Sequence, residues 1–235
     1  MSEDVKNKIQ PPENHIKVLD NDFGWVGLLN HMGNETTIVN SARISFQNMK
    51  NEFDERDEKL LHYLIKNKHT TPLEHVVFTF MVHCPLYVRS QWHRHRTWSF
   101  NEVSGRYTSE NITFYIPNEF RKQSTSNRQA STDEIVENNQ ELIDDTREIC
   151  LQSYHRYLRL LEMGVCREQA RGILPQCMMT TFWATVDLHN LLHFIELRED
   201  NHAQKEIQCY ATAMKKLIQP IVPHVIKAFD EGRIK

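Results

Sequence analysis

The sequence predicts one α+β domain over residues 1–235, in which a largely antiparallel sheet packs with long helices. Two stretches, 74–84 and 178–186, alternate apolar and polar residues as half-buried strands do. Helical stripes of apolar residues lie before, between and after them, and neither an internal repeat nor a domain linker interrupts the chain. Strands and helices mixed in this way are typical of α+β folds.

Two elements are expected ahead of the first of these strands. Residues 36–39 form a short candidate strand. Residues 57–68 predict a helix, because apolar pairs at 60/61 and 64/65 recur four residues apart. The segment 69–72 contains a proline and is expected to end that helix.

In the stretch 74–84 the alternate apolar residues share one face, which predicts that this face is buried. Pro85 fits the first turn of a helix that runs to about His95. On that helix Gln91, Arg94 and His95 would share a face near the C-terminal end.

The second half of the chain predicts a polar loop at 122–132, which is either an exposed connection or a mobile lid. It also predicts the strand 178–186, and Asp187 is the expected N-cap of the helix that follows this strand. The four helices expected in this half are 133–163, 166–174, 188–197 and 202–218.

Charge and composition argue against several functional classes. The net charge of −3 argues against a general nucleic-acid binder, and no apolar run approaches the ~18 residues of a membrane span. The acidic, polar N-terminus lacks the features of a signal peptide, so a cytoplasmic protein is expected. The five cysteines show no CxxC spacing and are expected to be reduced core residues rather than disulfide partners or zinc ligands.

The stretch 94–107 holds three arginines together with a histidine, two serines, an asparagine and a glutamate. Guanidiniums this close repel one another unless anions or carboxylates meet them. A solvated basic face is one interpretation, and a pocket in which arginines grip a phosphorylated ligand is the other. The chain has only seven glycines and neither GxGxxG nor GxxxxGKS/T, so side chains would have to hold any phosphate, which favours the pocket.

The residues from Arg94 to Ser104 fit the pattern RHRxxSxNxxS, and Arg106-Tyr107 continue it. This pattern resembles the signature of the flavin-dependent thymidylate synthases. The resemblance covers about residues 41–210. Further blocks that are similar to family segments, in the same order, lie at 69–75, 167–171, 197–198 and 202–207.

The resemblance implies synthesis of dTMP from dUMP, with a methylene group from methylenetetrahydrofolate and hydride from FADH2 that NADPH regenerates. It also implies a homotetramer whose active sites are shared between subunits. His69 would position the flavin and the folate, and no metal is expected. The residues that the resemblance assigns to FAD are Thr71, Arg94, His95, Arg96, Glu102, Asp187, His189 and His193. Those that it assigns to dUMP are Gln91, Trp92, His93, Arg94, Glu102, Val103, Ser104, Gly105, Arg106, Arg171 and Arg198.

Arg198 is the catalytic residue that the resemblance implies. Its charge would stabilise the anion left when uracil loses its N3 proton, which makes C5 more nucleophilic. An arginine cannot serve as a base at neutral pH, so this role is electrostatic. The alternative is a surface ion pair of Arg198 with Glu196 or Asp200.

Ser104 and Cys177 raise the alternative of an enzyme nucleophile that attacks C6 of the pyrimidine. Cys177 borders an alternating apolar run, where a buried inert thiol is expected, and Ser104 has no evident histidine partner. Because hydride from a reduced flavin would remove the need for a covalent adduct, we expect no enzyme nucleophile.

The chain departs from the family pattern at Asp187, His189 and His193, where many members carry Asn-x-Arg and a later Asn. Asp187 is expected to cap its helix, whereas the two histidines could donate to phosphate or stack on adenine.

Two other functions compete with the enzyme. A colourless zinc protein could use the pairs His93/His95 or His189/His193, although neither pair has an evident third ligand. A nucleic-acid module could use the arginines beside Trp92, Trp98 and Phe100, although the net negative charge opposes it.

Overall fold

Five antiparallel strands form the central sheet of the structure, a computed structural model that describes residues 9–106, 112–125, 127 and 130–233. Its strands are β1 (His15–Val18), β2 (Gly24–Met32), β3 (Val77–Pro85), β4 (Ser99–Glu102) and β7 (Met179–Asp187), with β5 (Arg121–Gln123) and β6 (Ser131–Ile135) in a separate hairpin. The order in the main sheet is β1-β2-β3-β7-β4, and every pair in it is antiparallel. The predicted α+β class with a largely antiparallel sheet is confirmed.

Helices account for most of the remaining described chain. They are α1 (Glu35–Arg43), α2 (Glu55–Lys66), α3 (Leu86–Trp92), α4 (Asn139–Glu162), α5 (Arg167–Ala170), α6 (Leu188–Arg198), α7 (Lys205–Ile218) and α8 (Pro223–Arg233). Within the described ranges, each helix is too short or too polar to cross a membrane. The helices expected at 57–68, 188–197 and 202–218 are confirmed as α2, α6 and α7, with ends that differ by a few residues.

β3 lies at the middle of the sheet and supplies much of the core. The residues on its inner side, including Val76 just before it, are all fully buried, as their alternation predicts: Val76, Phe78, Phe80, Val82 and Cys84. β7 pairs with β3 along its whole length, with Phe80 opposite Ala184, so the second predicted strand is also confirmed. Successive side chains of a β-strand point to opposite faces, so a strand with one buried face has an apolar residue at every second position.

Trp92 joins the sheet to three helices at the end of α3. Its fully buried ring stacks on Phe194 of α6 at 5.2 Å and meets the ring edges of Phe182 at 5.4 Å and Tyr210 at 5.5 Å. Aromatic rings bury large apolar areas and prefer stacked or edge contacts of this kind. The last turn of α3, and the arginine-rich stretch that follows it, are therefore held in a fixed place.

The candidate strand at 36–39 is wrong, because these residues lie in α1. The Asn34 side chain accepts from the Thr37 N–H at 3.2 Å, and the Thr37 hydroxyl accepts from the Asn34 N–H at 3.2 Å. Residues 36–39 are largely β-branched, which favours strands, but this reciprocal cap and the burial of Ile38 and Val39 on one side of a helix outweigh that propensity.

The polar segment 122–132 is not a single loop, because its ends lie in β5 and β6. Ladder contacts such as the Ser124 N–H to the Ala130 carbonyl oxygen, at 3.0 Å, hold the hairpin. Residues 126, 128 and 129 lie outside the described residues, as does Tyr107 of the arginine-rich stretch. The helix expected from 133 begins only at Asn139, because 131–135 belong to β6.

The helix expected after Pro85 ends at Trp92, so Arg94 and His95 lie in the turn that follows it rather than on the helix. The helix expected at 166–174 divides into α5 and a 3₁₀ turn, Arg171–Ile173. The strands β1, β2, β4, β5 and β6 and the helix α8 were not predicted.

Gly24, the first residue of β2, lies against the hydroxyl group of Tyr210. A Cβ atom at Gly24 would overlap the Tyr210 oxygen and come within 2.9 Å of Leu19 Cδ1. Tyr210 is fully buried, and its hydroxyl donates to the His83 carbonyl oxygen at 2.7 Å, so moving the ring breaks that bond. We predict that Gly24→Ala lowers the free energy of unfolding by about 2 kcal/mol, measured by urea denaturation.

Gly232→Ala is the matched control, because nothing lies within 4 Å of a Cβ at Gly232 on α8. This variant should be at least as stable as the parent protein, since alanine favours helices. Equal stability of Gly24→Ala and Gly232→Ala would contradict the close packing described at Gly24.

Candidate active site

Arg198, at the C-terminal end of α6, directs its guanidinium at the end of α3. Its Nε donates to His95 Nε2 at 3.0 Å, its Nη2 to the Gln91 carbonyl oxygen at 3.3 Å, and its Nη1 to Gln91 Oε1 at 3.5 Å. The Gln91 amide nitrogen donates in turn to Gln204 Oε1. Three predicted site residues from distant parts of the chain therefore meet, and this direction of the guanidinium opposes the alternative of a surface ion pair.

Burial lowers the pKa values of both His95 and Arg198. His95 is only 8% exposed, and burial, followed by the charge of Arg198 and by His193, lowers its pKa to about 4. A neutral imidazole can accept a hydrogen bond at Nε2, which the contact with Arg198 requires. Burial, and then repulsion from Arg94, also lower the pKa of Arg198. The partly desolvated charge of Arg198 is therefore stabilised by an anion that comes close to it.

A cavity of about 950 Å³ opens beside the C-terminal part of the arginine-rich stretch. β7 contributes Thr180 and Thr181 to its wall, and β2 contributes Trp25. Gly105 lies beside Arg171, because a Cβ at Gly105 would be in ordinary van der Waals contact with Arg171 Cδ at 3.5 Å. Five residues that the sequence assigned to dUMP line this cavity: Glu102, Val103, Ser104, Gly105 and Arg171.

The three arginines of the stretch are exposed. Arg106 Nε lies 3.9 Å from Glu168 Oε2, and the Arg106 N–H donates to Ser104 Oγ at 3.3 Å. In the part of the chain that the structure describes, no carboxylate lies within ion-pair distance of Arg94 or Arg96. Exposed guanidiniums without a carboxylate are suited to a phosphate or diphosphate group.

Several residues assigned to FAD lie at the opposite end of α6. Asp187 accepts from the Asn190 N–H at 3.0 Å, which confirms the predicted N-cap, and His189 lies half-buried in the first turn. Thr71 begins the 3₁₀ turn Thr71–His75, which packs against α6. His193 lies midway along α6, with its ring 6.3 Å from that of His95. Since His193 is one helical turn from His189, it lies between the residues at the start of α6 and the arginine-rich stretch.

Six of the eleven residues that the sequence assigned to dUMP do not line the cavity: Gln91, Trp92, His93, Arg94, Arg106 and Arg198. Trp92 is fully buried in the core, where its ring packs on Phe194. His93 is exposed, with its ring edge 6.2 Å from Phe100, and His69 is exposed beside Tyr63 at 5.6 Å. Over the described ranges, no group of three or more His, Cys, Asp or Glu residues could hold a metal ion.

Arg89 and Gln204 contact the predicted site residues but were not anticipated. Arg89 Nε lies 3.3 Å from Glu102 Oε2, and Gln204 accepts from the Gln91 amide. A charged residue three positions before the buried Trp92, on the same side of a helix, is the signal that could have identified Arg89. For Gln204 the signal was its position in the 202–207 block.

Cys177 is held in a partly buried position against Cys150, with 3.4 Å between the two sulfur atoms. Burial, and then the contact with Cys150, raise the pKa of Cys177 to about 12. The protonated thiol is a poor nucleophile, in agreement with the inert role expected for it. The five cysteines are all free, but Cys166 and Cys209 are exposed, so the expectation that every cysteine is a core residue is wrong.

Comparison with known proteins adds an independent finding. The model of a family described as "Thymidylate synthase complementing protein" matches residues 27–224. A flavin-dependent thymidylate synthase of Thermus thermophilus is 43% identical over 216 residues, 92% of this chain and 78% of that protein. One of Thermotoga neapolitana is 42% identical over 214 residues, 91% of this chain and 93% of that protein. A crystal structure of the UMP/dUMP methylase PolB from Streptomyces cacaoi with 5-Br dUMP has a TM-score of 0.81 and 28% identity, over 88% of this chain and 95% of that one.

The low pKa of His95 has a consequence for stability. Unfolded histidine titrates near ~6.5, whereas folded His95 titrates at about 4. As pH falls from the first value toward the second, only the unfolded state gains the proton, so the folded state loses stability, and the loss levels off below pH 4. The shift accounts for at most about 3 kcal/mol.

His95→Gln keeps an acceptor for Arg198 but does not titrate. We predict that urea denaturation at pH 7.5 and 4.5 shows a larger loss of unfolding free energy for the parent protein than for His95→Gln. The remaining titratable groups are common to both proteins and cancel in the comparison. Equal losses would show that His95 is not held neutral by its surroundings.

Proposed function

This chain belongs to the flavin-dependent thymidylate synthase family, and from that membership we propose that it converts dUMP to dTMP with methylenetetrahydrofolate, FAD and NADPH. The observation that carries the proposal is the meeting of Arg198 with His95 and Gln91, at 3.0 to 3.5 Å, beside the arginine-rich stretch. The same substrate is supported by two similarities: to flavin-dependent thymidylate synthases in sequence, and to a UMP/dUMP methylase in fold.

The cavity of about 950 Å³ is the site that we assign to dUMP. Arg171 and Arg106 would neutralise its phosphate, and the Ser104 hydroxyl and the Gly105 N–H would donate to phosphate oxygens. Charge-assisted hydrogen bonds of this kind contribute ~1.5–3 kcal/mol each. The scarcity of glycine loops in the sequence agrees with a site in which side chains hold the phosphate.

Arg198 would activate the pyrimidine by its charge. A guanidinium has five N–H donors, and three of those of Arg198 are directed at His95 and Gln91. The remaining two would be available to the uracil ring of a dUMP held in the cavity of another subunit, because Arg198 does not line the cavity of its own chain. When the N3 proton is lost, the uracil ring carries a negative charge, and C5 becomes more nucleophilic. The half-buried guanidinium of Arg198 stabilises this charge, because its own charge is poorly solvated.

FAD fits the donor set that the chain presents. Arg94 and Arg96 are exposed cations suited to a diphosphate, and Thr71, Asp187 and His189 lie at the N-terminal end of α6. A long dinucleotide, or two subunits that share one site, would bring both sets of residues to one cofactor. When bound and reduced by NADPH, the flavin would supply the hydride and return to its oxidised form.

A mechanism without an enzyme nucleophile is the one we propose. The pKa of Cys177 is raised to about 12, so its thiol is protonated at neutral pH. Ser104 Oγ accepts from the Arg106 N–H, and within the described residues no histidine is hydrogen-bonded to it as a base. We further propose that the protein is a cytoplasmic homotetramer and that His69, exposed beside Tyr63, positions the folate and the flavin.

An omission assay tests the proposal. We predict that the purified protein forms dTMP from dUMP only when methylenetetrahydrofolate, NADPH and FAD are all present, measured by chromatography of the nucleotides. The protein should also be yellow, because it retains flavin. Undiminished dTMP formation after removal of flavin, or a colourless protein that retains zinc, would refute the proposed function.

A further inference from the structure

A buried guanidinium lies directly below the rim of the large cavity. Arg89, on α3, is 3% exposed, and its Cζ lies 4.4 Å from the ring centroids of both Phe100 and Phe182. The two rings hold it from two sides through cation–π contacts. A planar guanidinium fits such a space, whereas an ammonium group does not use two ring faces in the same way.

Glu102 is the carboxylate that meets this cation. Arg89 Nε lies 3.3 Å from Glu102 Oε2, and the Thr180 hydroxyl donates to Glu102 Oε1 at 2.7 Å. Both carboxylate oxygens are therefore held in place. The Glu102 side chain is 27% exposed and lines the cavity, so its remaining lone pairs face the space assigned to dUMP.

No other negative group compensates Arg89 in the described part of the chain. Glu102 supplies the one carboxylate within ion-pair distance of it, and burial keeps the neighbouring Cys84 thiol protonated by raising its pKa well above the ordinary value. Arg89 Nε and Nη1 are both buried without a hydrogen-bond partner among the described residues, so the contact of Arg89 with Glu102 is an ion pair rather than a hydrogen bond. A buried charge that loses its counter-ion is strongly unfavourable, so Arg89 and Glu102 depend on each other.

We propose that Arg89 is a positioning residue for nucleotide binding: it holds the Glu102 carboxylate, fixed in direction, at the rim of the cavity. The inference rests on the proposed function, because it takes dUMP as the occupant of that cavity. A carboxylate accepts hydrogen bonds and does not donate them, so Glu102 in this position accepts a hydrogen bond from a hydroxyl or N–H group of the nucleotide. Arg89 itself does not touch the ligand.

A double-mutant cycle on the full-length, FAD-loaded protein tests this role. The variants are Arg89→Met, Glu102→Gln and the two combined, and the measurement is the dissociation constant of dUMP by calorimetry. Arg89→Met should weaken binding by ~10-fold or more, because Glu102 loses its counter-ion. In the Glu102→Gln background the same substitution should not weaken binding further, since a neutral amide needs no counter-ion and the substitution removes the Arg89 charge that Glu102→Gln leaves unpaired.

Equal effects of Arg89→Met in both backgrounds, or no effect in either, would overturn the inference. If Arg89→Met does not fold, the combined variant tests the inference instead, because it carries neither the Arg89 charge nor the Glu102 charge and so leaves no charge unpaired. It is then expected to fold, as judged by thermal unfolding, and to bind dUMP within ~2-fold of Glu102→Gln. Failure of the combined variant to fold would show that Arg89 serves packing and would equally overturn the inference.

Two controls separate this inference from the proposed function. Arg56→Met removes an exposed arginine on α2 and should leave dUMP binding unchanged. Thr180→Val removes the hydrogen bond to Glu102 without removing a charge and should weaken binding by only ~3-fold. If the parent protein binds no dUMP, the proposed function fails; if it binds dUMP and the cycle shows no coupling, only the role of Arg89 fails.

Discussion

The hydrogen bond from the Arg198 guanidinium to the neutral imidazole of His95 is the contact on which the rest of the site depends. It joins the C-terminal end of α6 to the turn after α3 and exists only while His95 carries no proton at Nε2. Burial keeps His95 in that state, because Phe194 packs on its ring at 5.0 Å and leaves it almost no contact with water. The same burial leaves the charge of Arg198 poorly solvated, and a poorly solvated charge stabilises an anion strongly.

The central sheet places the two charged centres of the site relative to each other. β7 pairs with β3 on one side and β4 on the other, so a strand that fills the core also aligns the arginine-rich stretch. Glu102 lies opposite Phe182, and the Val103 N–H continues the ladder to the Thr181 carbonyl oxygen at 2.9 Å. On the inner side of this corner, Arg89 compensates Glu102. At the end of α3, Trp92 fixes the turn that carries His95.

Hydrophobic periodicity predicted β3, β7, α2, α6 and α7, because each has one buried face and a regular period. Periodicity failed at α1, where the β-branched residues favour a strand but the cap at Asn34 stabilises a helix. It also failed at 122–132 and at β4, which are short, polar and stabilised mainly by pairing with another segment, a long-range effect that local pattern does not contain.

Sequence predicted the site residues that lie together in one motif. It did not predict the residues that only hold another site residue in place. Arg94 to Arg106 form a recognisable block, and family resemblance added Arg171 and Arg198. Arg89 was missed because its partner Glu102 is on a strand rather than on the same helix, and the helical spacing of Arg89 to Trp92 does not reveal an ion pair across two elements. Family resemblance assigned Trp92 to dUMP, whereas packing directs its ring into the core.

The central claim is that the charge of Arg198 lowers the pKa of uracil N3, and it can be measured on bound substrate. The chemical shift of dUMP labelled with carbon-13 at C4, bound to the FAD-loaded protein and followed across pH, reports that ionisation. We predict a lower midpoint than for free dUMP in the parent protein and in Arg56→Ala. Arg198→Ala, which should still bind dUMP more weakly, should return the midpoint to that of free dUMP. A midpoint equal to that of free dUMP in the parent protein, or one that Arg198→Ala leaves unchanged, would contradict the account.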